Sequence, residues 1–280
     1  MKFTKMHGLG NDFVVVQWEG EVSAQIHGLA EAVCDRHFGI GADGLVLILP
    51  SDKADFKMRI FNADGQESQQ CGNAIRCVTK YFLERIRQST SEVDTCTVET
   101  SIGVQQVWPK IRNGLVKEVT VDMGAPILIP AKIPLRSTLS RVINQPITVG
   151  QQQFDFTAIS MGNPHLVIEV EDVQHFPVDK WGPLLEKHDY YPEKTNVEFI
   201  TIQNRNELTM RVWERGVGIT LACGSGACAA LVAAVLLEKA DRSAVIHLPK
   251  GDLQIEWREE NDHVYMTGAA ESVFDGVWQQ

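Results

Sequence analysis

Two cysteines of this 280-residue chain sit in closely similar contexts, Cys71-Gly72-Asn73-Ala74 and Cys223-Gly224-Ser225-Gly226. Each precedes a run that reads as a helix, with Asn73 and Ser225 as N-cap types and a glycine that lets the backbone bend around a ligand. A helix start leaves its first amides unpaired and carries partial positive charge. Those amides suit a substrate carboxylate. The same field favours a thiolate, predicting a thiol pKa lowered from its free value of roughly 8.5 toward neutrality. A carboxylate held between two such turns would have its α-carbon within reach of both sulfurs. One thiolate could remove the α-proton from one face while the opposite thiol delivers a proton to the other, inverting the centre without moving either group. Charge developing on the carboxylate would be stabilised by the amides already holding it.

The pair is separated by 152 residues, and that offset recurs. Gly10-Asn11 matches Gly162-Asn163, and Met58-Arg59-Ile60-Phe61 matches Met210-Arg211-Val212-Trp213, in the same register as Cys71-Gly72 and Cys223-Gly224. Later matches, such as Trp108 with Trp257 and Gly124-Ala125 with Gly268-Ala269, lose the constant offset through insertions. The chain therefore reads as two copies of one unit. Alternating runs such as VTVDM and LQIEW, punctuated by Arg112-Asn113-Gly114 and Pro249-Lys250-Gly251, predict strands. Helices are expected over Ala24–His37, Asn73–Arg87, Asp179–His188 and Ser225–Lys239. The segment from Ala125 to Pro146, with four prolines, reads as the crossing between halves. The fold class is α+β, a duplication with the site expected in the cleft between halves.

Composition narrows the function. Acidic residues outnumber basic ones by 36 to 26, for a net charge of −10, which opposes nucleic acid or an anionic membrane as partner and favours a small molecule. The stretch from Ile219 to Leu237 has no charge, but its first half is Gly, Ser, Cys and Ala, so a helix buried on all sides is expected rather than a membrane span. No apolar signal region opens the chain, which gives the expectation of an unexported, cytoplasmic protein with thiols rather than disulfides. Cys77 and Cys228 are expected in the core, as are Cys34 and Cys96. The spacing from Cys71 to Cys77 and from Cys223 to Cys228 lacks the short step of a zinc knuckle, so no metal is expected.

Other positions carry weaker signals. Asn62 and Glu214 share the 152-residue offset, with Arg215 following Glu214; a surface turn is the plain alternative for each. His165 in GNPH is either a capped loop histidine or a group that tunes a thiol. His7 and His37 read as structural. FGIGADG lacks the Lys-Ser/Thr of a Walker motif and the full dinucleotide spacing, which disfavours a nucleotide.

The motifs MHGLGNDF, FGIGAD, FNADG, CGNAIRC, GNPH, NVEF, WERG and ACGSGACAA, spread from Met6 to about Gly276, together resemble the diaminopimelate epimerase family. The resemblance implies interconversion of LL- and meso-2,6-diaminopimelate without pyridoxal phosphate, metal or other cofactor, by a homodimer. It implies two similar domains, each a mostly antiparallel, curved, barrel-like sheet around a central helix. The first would span 1–123 plus about 269–280, with AAESVFDGVW returning to it, and the second 124–268. Carried over by motif, Cys71 and Cys223 are the acid/base pair, assisted by His165 and Glu214. Asn11, Asn62, Asn163, Asn196, Glu214 and Arg215 resemble the substrate-binding set, and Gly72-Asn73 and Gly224-Ser225 the turns that hold the reacting carboxylate. Arg215 also makes independent sense as a guanidinium for a distal carboxylate. Many members have Gln where this chain has Gly44, which has no side chain to offer. Two alternatives remain open: another two-thiol racemase on the same scaffold, acting on proline, hydroxyproline or histidine, and a thiol redox or metal-binding module.

Overall fold

The structure is a computed structural model that describes residues 1–68, 71–88, 91 and 95–279. The chain divides into two compact units, the first formed by 1–122 and 267–280 and the second by 123–266. The last residue of the predicted first domain, Gln280, lies outside the described residues.

In unit 1 the strand Lys2–Gly8 is flanked by Glu271–Val277 on one side and Asn11–Gln17 on the other, both antiparallel. Asn11–Gln17 pairs parallel with Gly44–Leu49, which pairs antiparallel with Phe56–Asn62. The sheet continues parallel into Cys96–Thr100 and antiparallel through Gly103–Arg112 and Leu115–Asp122. The first helix, α1, spans Ile26–Cys34. It ends before the predicted His37 because the Asp35 carboxylate accepts from the His37 and Phe38 amides, a local turn that competes with the helix. The second, α2, spans Gly72–Tyr81 and runs on as a π-helical turn over Phe82–Arg87. α2 packs against strands from Lys2–Gly8 through to Leu115–Asp122, so the sheet curls around it, and every residue from Gly72 to Lys80 is buried.

Unit 2 repeats the plan. Gln145–Val149, Gln152–Ser160 and Pro164–Glu169 form an antiparallel run, and Pro164–Glu169 pairs parallel with Asn196–Asn204. Asn196–Asn204 pairs antiparallel with Glu207–Glu214, which pairs parallel with Ser243–Leu248, and Gly251–Trp257 completes the hairpin. Helix α3 spans Val178–Glu186, and α4 spans Gly224–Leu236. α4 is the uncharged segment: its thirteen residues are buried almost all round, because strands pack on it from several sides. Among the described residues no helix is long and apolar enough to cross a membrane.

The register extends the repeat beyond what the sequence alone suggested. Phe13 pairs with Gly44 and His165 with Asn196, Val46 with Ile60 and Glu198 with Val212, each pair displaced from its counterpart by the same 152 residues. The two units are thus α+β sheets around a central helix, built on one scaffold with different side chains in equivalent slots.

Candidate active site

Both cysteines occupy the residue just before the first helical residue, in extended conformation, with φ −149° at Cys71 and −120° at Cys223. The sequence placed Asn73 and Ser225 as the caps. They lie instead inside the first turns, and the cysteines are the capping residues. The first helical hydrogen bonds run from Ile75 N to Cys71 O and from Ala227 N to Cys223 O, both 3.0 Å. Cys223 Sγ also accepts from Gly226 N at 3.3 Å, so one of the orphan amides of α4 serves the sulfur. The amides of Gly72, Asn73, Gly224 and Ser225 fall in the part of each turn that precedes the helical ladder. All six cysteines carry thiols.

In unit 1 a polar chain runs away from a buried cation. The Arg76 guanidinium, fully buried, donates to Asn73 Oδ1 at 2.8 Å and to the carbonyls of Ala269 and Gly72. Asn73 Nδ2 donates to Asn11 Oδ1 at 3.1 Å, and the Cys71 thiol approaches the same oxygen at 3.7 Å. Asn11 Nδ2 donates in turn to Asp43 Oδ2 at 2.7 Å. Asp43 is held with Asp12 by Arg36, and Lys5 pairs with Asp12 at 2.6 Å. Burial by itself would raise the Asp12 carboxyl, but hydrogen bonds from Arg36 and Lys5 overcome it and hold the pKa at about 2. These links fix both orientations of the Asn11 and Asn73 amides without ambiguity. Asn62 ends its strand opposite Gly44 with its side chain exposed. Gly44 itself is buried, and a Cβ there would lie 2.9 Å from the Phe61 carbonyl oxygen. The position is closed by backbone, so it has no room for a side chain.

Unit 2 surrounds its cysteine with carboxylates. Cys223 is 6% exposed, and burial, then the charges of Glu214 and Glu198, push its thiol pKa well above the ordinary range, against the opposing Ser225 hydroxyl and Gly226 amide. The lowering expected from the helix start is therefore overturned here: the amide contribution is present, but desolvation and two nearby negative charges exceed it. His165, fully buried, contacts Glu198 Oε1 through Nδ1 at 2.7 Å and Asn163 Oδ1 through Nε2 at 2.9 Å. Asn196 spans two backbones, donating to Pro164 O at 2.9 Å and accepting from Arg215 N at 3.0 Å. Glu214 accepts from the Thr220 hydroxyl, and the exposed Arg215 side chain also reaches the Glu193 carbonyl. Ser225 Oγ is 3.6 Å from the Cys223 sulfur.

Each unit thus gathers its own predicted residues: Asn11, Cys71, Gly72 and Asn73 in the first, and Asn163, His165, Asn196, Glu214, Arg215, Cys223, Gly224 and Ser225 in the second. Sequence reasoning missed Arg76 and Glu198 as site residues. The signal was present, since each is a charge inside an otherwise apolar element, Ala74-Ile75-Arg76-Cys77-Val78 and Val197-Glu198-Phe199-Ile200. The remaining cysteines, Cys34, Cys77, Cys96 and Cys228, are buried, and burial pushes Cys34 and Cys77 up to about 12. Among the described residues no group of three or more His, Cys, Asp or Glu side chains is placed to hold a metal ion.

Comparison with known proteins follows the whole chain. A family model described as "Diaminopimelate epimerase" matches residues 3–129 and 157–273. A protein of Methanococcus maripaludis named diaminopimelate epimerase is 51% identical over 276 residues, covering 99% of each chain. Its namesake from Acetivibrio thermocellus is 50% identical, covering 99% of this chain and 98% of its own. Among solved structures, a hydroxyproline epimerase from Agrobacterium vitis superposes with a TM-score of 0.71 at 16% identity, covering 99% of this chain and 90% of that one. A Bacillus anthracis phenazine biosynthesis protein of the PhzF family gives 0.70 at 14%, covering 99% and 98%. At those identities the likeness is one of fold, the two-domain curved-sheet architecture described above.

Proposed function

Because the chain belongs to the diaminopimelate epimerase family, we propose that it interconverts LL- and meso-2,6-diaminopimelate by moving a proton between two cysteine thiols. The observation that carries this reading is that Cys71 and Cys223 take the same capping position at the start of the central helix of each unit. In the proposed reaction one sulfur is a thiolate and takes the α-proton. The electron pair left on the α-carbon delocalises into its carboxylate, which the Gly72, Asn73, Gly224 and Ser225 amides stabilise. The other thiol then gives its proton to the opposite face, so the two sulfurs finish with their protonation states exchanged and no net proton is consumed.

Asn11, Asn62, Asn163, Asn196, Glu214 and Arg215 would hold the ammonium groups and the distal carboxylate, Arg215 offering its guanidinium to the latter. That second head group separates diaminopimelate from proline or hydroxyproline, which have none. The enzyme is proposed to act as a homodimer in the cytoplasm, with no cofactor.

The test is incubation of chelator-treated protein with LL-diaminopimelate in heavy water under reducing conditions. The expected product is meso-diaminopimelate carrying solvent deuterium at one α-carbon, with no exchange into L-proline or trans-4-hydroxy-L-proline supplied in parallel. Failure to produce either the meso isomer or the deuterium label overturns the reading; turnover of a proline instead moves the chain to the rival racemases.

A further inference from the structure

We propose that Glu198 is a positioning residue for Cys223: its buried carboxylate locks His165 from beneath the first turn of α4 and keeps Cys223 the proton donor of the resting site. The inference rests on reading Cys223 as an acid/base group, and it begins from an oddity of packing. Glu198 is fully buried, one oxygen meets His165, and the other, Oε2, has no hydrogen-bond partner among the described residues. A buried carboxylate with an orphaned oxygen bears a desolvation cost that one hydrogen bond returns only in part.

The fold does not demand it. At the same register in unit 1 the slot of Glu198 holds Val46, that of His165 holds Phe13, and that of Gly226 holds Ala74. Val46, Phe13 and Ala74 are buried and apolar. Three apolar residues in one half are thus replaced together in the other by a carboxylate, an imidazole and a glycine. The glycine belongs to the set: a Cβ at Gly226 would stand 2.7 Å from Glu198 Oε1 and 3.2 Å from Cys223 Sγ. Removing that carbon is what lets the carboxylate sit against the helix start, where the amides and the helix dipole favour its charge.

Two consequences follow for the chemistry. His165 thus joins Glu198 Oε1 through Nδ1 and the Asn163 side-chain amide through Nε2, so the carboxylate holds the ring and the ring holds the amide. A negative charge beside a thiol disfavours the thiolate. From the strands packed on α4, the titratable groups that act on Cys223 are Glu214 and Glu198, with Ser225 and the Gly226 amide acting from its own helix. Glu214, which also accepts from the Thr220 hydroxyl, is the larger of the two charges acting on the thiol, and the fully buried Glu198 adds to it.

The test measures alkylation of Cys223 by iodoacetamide in the full chain, read peptide by peptide by mass spectrometry from pH 6.5 to 9.5, with Cys71 as internal reference. Glu198→Gln keeps the size and an acceptor for His165 but removes the charge. It is expected to alkylate Cys223 about tenfold faster at a given pH, equivalent to a shift of about one pH unit, with Cys71 unchanged. Epimerisation is expected to lose kcat about tenfold or more with KM within about twofold. Glu198→Asp keeps the charge while withdrawing it from His165, and should retain slow alkylation while still losing kcat. If Glu198→Gln does not fold, Glu198→Met decides, because it removes the charge with an apolar side chain of similar length and must likewise speed alkylation. Alkylation of Cys223 that is unchanged or slower in the folded variant overturns the proposal. The alkylation arm needs no substrate, so a wild-type chain that fails to epimerise diaminopimelate refutes the function without deciding this point.

Discussion

Unit 1 and unit 2 share strand order, register and a central helix capped by a cysteine, yet different polar side chains lead up to that cysteine. In unit 1 the equivalent of Cys228 is Arg76, a fully buried cation from which hydrogen bonds lead through Asn73 to Asn11 beside Cys71. In unit 2 the equivalent of Val46 is Glu198, and Glu214 takes the place of Asn62, so carboxylates face Cys223. A duplicated scaffold supplies two helix starts of the same geometry. The chemistry of each is set by a few substitutions in slots that the fold itself tolerates as apolar. Two thiols in identical settings would share one affinity for the proton; the proposed two-base inversion needs one to begin with the proton and the other without it, a need that unequal surroundings would serve.

The comparison is broken most directly at the sulfurs. Cys71→Ala and Cys223→Ala are each expected to lower epimerisation by about three orders of magnitude or more while thermal unfolding stays close to that of the parent. Activity within tenfold of the parent in either variant would show that one thiol suffices and that the symmetry of the halves is irrelevant to the reaction. The buried cation is the next largest contributor. Arg76→Met strands the Asn73 side-chain oxygen and the Ala269 and Gly72 carbonyls, which is expected to cost about 3 kcal/mol. Cys228→Ala, at the equivalent position of unit 2, removes one buried sulfur and no charge, about 1 kcal/mol. Denaturant unfolding of the two variants measures the gap, and equal losses would mean that Arg76 does not organise its half.

The duplication, the helix starts and the two thiols were legible in the sequence because they depend on local features: a fixed offset, Cys-Gly turns and apolar periodicity. The buried helix in unit 2 was legible for the same reason. What escaped was non-local. Nothing near Glu198 in sequence announces that its carboxylate meets His165, 33 residues away, under a turn begun at Cys223. The expected lowering of the Cys223 thiol failed on the same ground, since a helix start can be read from residue types but desolvation and facing carboxylates depend on strands that pack from elsewhere. The caps were misplaced by two residues because Asn and Ser are the commoner capping types, while here the sulfur residues take that position.

A milder difference concerns acid. Asp12 in unit 1, held at about 2 by Arg36 and Lys5 against the cost of burial, binds its proton less readily folded than unfolded. Its stabilising contribution is fully present above the ordinary carboxylate value near 3.8 and is lost as pH falls toward 2. Denaturant midpoints measured from pH 5 to 2.5 should fall, and Asp12→Asn should start lower and fall less steeply; parallel curves would remove the Asp12 cluster from the account.

The smallest effect is expected at Gly44, the slot that in unit 2 holds Asn196. There the Asn196 side chain bridges Pro164 and Arg215, whereas at Gly44 a Cβ would come 2.9 Å from the Phe61 carbonyl, with Phe13 Cδ1 at 3.6 Å. Because the obstructing atom is backbone in a paired strand, it cannot swing aside, and Gly44→Ala should cost about 1 kcal/mol, a fall of a few degrees in Tm. If position 44 serves only through its backbone, KM for diaminopimelate should change less than twofold. A KM that rises more than the stability falls would mean that the slot opens toward the ligand after all, and that the two halves differ there in the residue they carry rather than in the space they leave.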